Sequence, residues 1–141
     1  MVNMAWYDTA QISKLKKARE ELDWFTAIVL SATQLERHGY LAIKQYLESL
    51  KVNSDLMDKL LNMKHFRQIA EYLLAIKKIE KEEYDTLIAI NKERNNFVHR
   101  GEREKFKRGI TAQKVYDPLV DAAIRILEER LDAVRLCVSR G

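Results

Sequence analysis

Apolar side chains return at helical spacing along most of the chain. Ile12, Leu15, Leu22, Phe25, Val29 and Ala32 form one stripe, with Lys14, Lys16, Lys17 and Arg19 mostly off it. The pattern predicts a first helix that starts near Asp8 or Thr9, either able to cap it, and runs to about Arg37. Over residues 24–30 it is apolar nearly all round, so burial is expected on more than one side, by the core and by a subunit partner if there is one. His38-Gly39 is expected to close this helix, with Gly39 just past its end.

A second helix is predicted over about 40–51, on Leu41, Ile43, Tyr46, Leu47 and Leu50. Asn53-Ser54-Asp55 reads as a turn and cap. Two pieces follow, over about 55–63 and 65–78, with Ile69, Tyr72, Leu73 and Ile76 on the stripe of the later one. The next helix covers about 81–100 and stops at Gly101, and a charged loop extends to Ile110. The last begins at Thr111 or at Asp117, where Asp117-Pro118 offers a cap followed by proline at the first helical position, and continues to about Cys137.

Composition turns this into a fold class. Among 141 residues, 47% are apolar and 33% charged, with four glycines and one proline, which suits one all-α domain over residues 1–141. The expected architecture is an up-and-down bundle of four to five helices. The single cysteine, Cys137, excludes an internal disulfide and a Cys-rich metal site. The longest strongly apolar stretch is too short to span a bilayer, and the N-terminus lacks a basic-then-apolar signal layout, so a cytoplasmic protein without membrane contact is expected. No Gly-rich phosphate loop, HExxH pattern or carboxylate cluster is present, so no cofactor or metal is expected.

The run Arg94-Asn95-Asn96-Phe97-Val98-His99 stands out against this background. At about 100° per residue, Tyr84, Leu87, Ile88, Ile90, Phe97 and Val98 share one apolar arc, and Arg94 falls inside it. Asn91, Asn95 and His99 lie within the arc or at its edge. A buried charge is costly unless paired, so Arg94 is expected to meet an acidic group, a second copy of the chain or a ligand phosphate. The formal charge of +4 is concentrated beside it: residues 92–114 hold eight cations against three anions, which leaves the remainder near −1. Such an uneven distribution suits an anionic partner such as nucleic acid, or a solvated lysine-rich loop.

Arg94, the polar Asn95 after it and His99 five positions on resemble the R-x4-6-H signature of the HEPN domains (higher eukaryotes and prokaryotes nucleotide-binding). The resemblance implies a homodimeric helical bundle whose motif helices line a cleft at the dimer interface. It further implies a metal-independent RNA endonuclease acting as a toxin, in phage defence or in RNA processing. Other HEPN-like proteins are non-catalytic modules that bind nucleotide, RNA or a protein partner. One subset, paired with minimal nucleotidyltransferases, has tyrosine two residues after the motif histidine. Gly101 stands there in this chain, so that pairing is not expected, and another antitoxin remains open.

The chemistry assigns roles independently. Metal-free RNA cleavage needs a base for the 2′-hydroxyl proton, an acid for the leaving oxygen and a cation for the phosphorane. His99 is suited to the proton transfers, Arg94 to a two-pronged phosphate contact, and Asn95 to positioning either. Arg94 and His99 stand about 140° apart around an ideal helix, which favours a cleft shared by two copies over a single-helix site. Phosphate contacts are expected from Arg100, Arg103, Lys105, Lys107 and Arg108. His38 and His65, placed near helix ends, read as structural.

Overall fold

A computed structural model describes residues 2–62, 65–99 and 109–131. They form six α-helices and a π-helical turn, with no strand among the described residues. The helices are α1 (Val2–Glu20), α2 (Trp24–Ser49), α3 (Ser54–Leu60), α4 (Phe66–Ala75), α5 (Lys81–His99) and α6 (Gly109–Arg125), and the π turn is Ile126–Arg130. None of them is long and apolar enough to cross a membrane.

The all-helical expectation holds, but the helix ends differ at the front of the chain. The stripe drawn through residues 12–32 crosses a real break: Leu22 takes a left-handed conformation (φ 59°), and Asp23 caps α2 by accepting from the Thr26 amide at 3.2 Å. The break resets the helical phase. Ile12 and Leu15 are buried while Leu22 and Phe25, placed on the same stripe by extrapolation, are exposed. Conversely, α2 runs straight through Gly39, which was expected to end it. A Cβ there would sit 2.8 Å from Ile69 Cγ2 and 3.1 Å from Leu73 Cδ1, so this glycine permits close approach of α2 and α4.

The later elements follow the pattern more closely. Asn53 caps α3, its side chain accepting from the Asp55 amide at 2.9 Å. At the front of α5, the Glu83 carboxylate accepts from the Glu80 amide at 2.9 Å. Helix α6 starts at Gly109, so Asp117-Pro118 is internal to it rather than its cap. Tertiary contacts outweigh the proline there: Tyr116, Val120 and Ala123 are buried, and Asp117 receives Arg19 from α1. The expected extension to Cys137 lies outside the described residues.

Helix α2 is the axis of the core and packs against α1, α4, α5 and α6. Ala27, Ile28, Ala32, Leu35, Ile43 and Leu47 on it are buried with Leu15, Leu73, Leu87, Ile90, Val120 and Leu127 from the surrounding elements. Ser31, Gln34 and His38 are buried on the same helix. His38 is therefore a mid-helix core residue, not the helix-end residue that the glycine beside it suggests.

Candidate functional site

Helix α5 carries the motif, and its buried arc is set by Leu87, Ile90 and Phe97. Arg94 lies within that arc, its side chain 22% exposed. Val98, assigned to the arc from spacing, is instead 52% exposed, because it sits in the last turn of the helix. The guanidinium is held from two sides. Its Nη1 donates to Glu36 Oε2 on α2 at 3.2 Å, and its Nη2 donates to Asn91 Oδ1 one turn earlier on α5 at 2.7 Å. Its carbon lies 5.4 Å from the centre of the Phe66 ring at the start of α4, a distance suited to a cation–π contact. Of the three partners expected for Arg94, the one the fold supplies is the acidic group, from within the chain.

These groups line a cleft of about 500 Å³ between α2, α4 and α5. Asn91, Arg94 and Asn95 line it from α5 and Glu36 from α2. The opposite wall is the first part of α4, with Arg67, Gln68 and Glu71 on it and His65 at its N-cap. Arg67 is paired with Glu71 at 3.1 Å. A guanidinium has five N–H donors. Among the described residues, Glu36 and Asn91 take two of Arg94's, which leaves others to meet an anion entering the cleft, with amide donors beside them.

The structure therefore brings Arg94 and Asn95 into one cleft and adds Glu36, His65 and Asn91, which the motif alone did not name. Asn91 was within reach of sequence reasoning, three residues before Arg94 and so on its face of the helix. The backbone of His99 closes α5, but its side chain is outside what is described. Arg100, Arg103, Lys105, Lys107 and Arg108 also lie outside the described residues. Among those described, no three His, Cys, Asp or Glu side chains are grouped so as to hold a metal ion.

A second polar cluster lies elsewhere. Arg19 of α1 forks onto Asp117 of α6 (2.8 and 3.2 Å) and reaches Asp121 at 2.9 Å. The Arg19 hydrogen bond holds the Asp117 carboxyl below its ordinary range, and the same contact raises the Arg19 guanidinium. Each of the three Arg19 nitrogens donates to a carboxylate of the protein itself, which makes the cluster a clasp between helices. No family model, curated protein or solved structure matches the chain.

Proposed function

We propose that this protein is a metal-independent RNA endonuclease of the HEPN type, working as a cytoplasmic homodimer with an up-and-down HEPN-like bundle and a toxic, defensive or RNA-processing role. The observation that carries the reading is Arg94: a permanent cation set in an apolar arc, lining a cleft, with only two of its five donors engaged by described residues. In this reading Arg94 binds and polarises the scissile phosphate, His99 transfers a proton and Asn95 positions. Arg100, Arg103, Lys105, Lys107 and Arg108 contribute phosphate contacts, whose strength falls with salt.

The test is cleavage of mixed RNAs in EDTA by the wild type, Arg94→Ala and His99→Ala. Expected are products ending in a 2′,3′-cyclic phosphate, since the attacking group is the neighbouring hydroxyl. His99→Ala should keep RNA binding and lose cleavage by a factor on the order of 10²–10⁴. Arg94→Lys retains charge but not the fork and should also be poor, while Asn95→Ala should be milder than either. Equal cutting by wild type and His99→Ala would identify a contaminating nuclease.

Support for the dimer comes from exposed apolar groups around the end of α5. Phe25 is 40% and Val98 52% exposed, and Phe25 stands edge-on to the buried Phe97 at 5.5 Å. An apolar edge of this kind suits a symmetric contact. Light scattering at micromolar concentration is expected to give twice the monomer mass, and Phe25→Asp to reduce it; monomer alone in the wild type would remove this part of the reading.

A second reading keeps the cleft and drops the chemistry, leaving a module that binds nucleotide, RNA or a protein partner such as an antitoxin. The Glu36 carboxylate favours it, because it offsets the charge that a phosphorane would need. Wild-type protein that binds RNA in a salt-dependent way and cuts none would decide for it.

A further inference from the structure

Metal-free cleavage next to a 2′-hydroxyl moves two protons. One leaves the attacking hydroxyl and one arrives at the departing 5′-oxygen, so the site needs a base and an acid. The motif on α5 contributes one histidine. Within the cleft, the carboxylates of Glu36 and Glu71 are paired with Arg94 (3.2 Å) and Arg67 (3.1 Å) and act as acceptors. The two arginines do not release protons at any useful pH, and the amides do not titrate. Among the described lining residues, that leaves His65, whose imidazole is the side-chain type most often used as a general acid or base.

The position of His65 fits that task. It is exposed at the N-cap of α4, directly before the Phe66 ring on which the Arg94 guanidinium rests. Its side chain makes no capping bond to the helix, so the imidazole is not consumed in holding α4 together. Among the described residues, helices α2, α4 and α5 surround it with the charged groups Glu36, Arg67, Glu71 and Arg94, two of each sign.

Resting on the endonuclease reading, we infer that His65 is the general acid of the reaction and protonates the 5′-oxygen as it leaves. The bond from O2′ to phosphorus forms and the bond from phosphorus to O5′ breaks. The 2′-hydroxyl proton passes to His99 as base, and the proton of His65 passes to O5′. The products are a 2′,3′-cyclic phosphate and a 5′-hydroxyl, with no water consumed.

The experiment compares two substrates: the dinucleotide UpA, whose leaving alkoxide needs a proton, and uridine 3′-(4-nitrophenyl phosphate), whose leaving phenolate does not. Wild type, His65→Ala and His65→Gln are measured on both across pH, with circular dichroism to confirm folding. On UpA, His65→Ala should lose on the order of 10²–10⁴ in kcat with KM little changed, and the falling high-pH limb of its profile should vanish. On the nitrophenyl ester the loss should stay within about tenfold. Equal losses on the two substrates, or a bell-shaped profile that survives in His65→Ala, overturn the inference and leave the endonuclease reading intact. Wild-type protein that cleaves neither substrate removes that reading and the role of His65 with it.

Discussion

Glu36 sets how strongly Arg94 can attract an anion, because its carboxylate stands 3.2 Å from the guanidinium in a partly exposed site. Glutamine at this position keeps an oxygen that can accept the same hydrogen bond and removes the opposing charge. An ion pair with this exposure is worth up to about 1 kcal/mol, so under the proposed function Glu36→Gln should tighten RNA binding severalfold. Fluorescence anisotropy at low salt measures this, and the gain should shrink as salt rises. Unchanged or weaker binding would count against the phosphate contact proposed for Arg94. The two ends of this pair were unequally legible. Arg94 announces itself because a charge within an apolar arc breaks the pattern around it. Glu36 carries no local signal: it is 58 positions away in the chain and sits on an ordinary helix face. His65 was hidden for a related reason, since only the packing of α4 beside α5 turns a helix-end histidine into a cleft residue.

At the level of elements, the helix stops explain both what the sequence revealed and what it concealed. Three of them place a non-glycine residue in the left-handed region: Leu22 (φ 59°), Lys51 (φ 56°) and Lys77 (φ 61°). Each is followed by the reach-back bond of a Schellman end: Asp23 N to Ala18 O at 2.9 Å, Val52 N to Leu47 O at 3.3 Å, and Lys78 N to Leu73 O at 2.9 Å. Glycine is the usual signal for such an end, so its absence at Leu22 let the first helix be read through a real break. At Gly39 the signal was present without the stop. The side-chain pattern thus identified the helical class and the later elements, while backbone conformation and interhelical distance decided the first two helices. The consequence is two kinds of substitution with opposite signs. The left-handed conformation costs a non-glycine residue about 1–2 kcal/mol, partly offset by glycine's greater freedom when unfolded. Leu22→Gly and Lys77→Gly should therefore each stabilise by roughly 0.5–1 kcal/mol. Gly39→Ala gains about 1 kcal/mol in helix propensity but must push Ile69 Cγ2 from 2.8 Å, an overpacking cost of typically 1–3 kcal/mol, so it should lower stability. Thermal melts decide the signs. A stabilising Gly39→Ala would mean that α2 and α4 are not in close contact there.

For the molecule as a whole, the described carboxyl whose pKa is lowered, Asp117, lies far from the cleft. Helix α1 packs against α2 and α6, and its polar attachment to α6 is the Arg19 fork on Asp117 and Asp121. Lys16 adds a weaker link to Glu128 at 3.2 Å, just beyond α6. The clasp closes a loop of nearly a hundred residues, from the first helix to the last described one, so losing it should release α1 before the α2–α4–α5 core. Its pH dependence follows from the sign of the Asp117 shift. The hydrogen bond from Arg19 lowers this carboxyl below its ordinary value of 3.8, with burial opposing and the charge of Arg19 assisting. A carboxyl lowered in the folded state binds fewer protons there than in the unfolded chain. Its contribution is therefore complete above the unfolded value and is lost as pH falls through the folded one. Arg19 remains charged throughout this range and adds no slope of its own. Asp117→Asn keeps the shape and removes the charge, so it should cost about 1 kcal/mol at neutral pH, a modest figure because both side chains are about one-third exposed. Urea midpoints for the wild type and Asp117→Asn should differ most from pH 5 upward, then converge as pH drops below about 4 and the wild-type carboxyl takes up its proton. Faster amide exchange confined to α1 in the variant would locate the loss at this clasp. A gap between the two proteins that persists undiminished at pH 2 would show that Asp117 acts through packing and not through its charge.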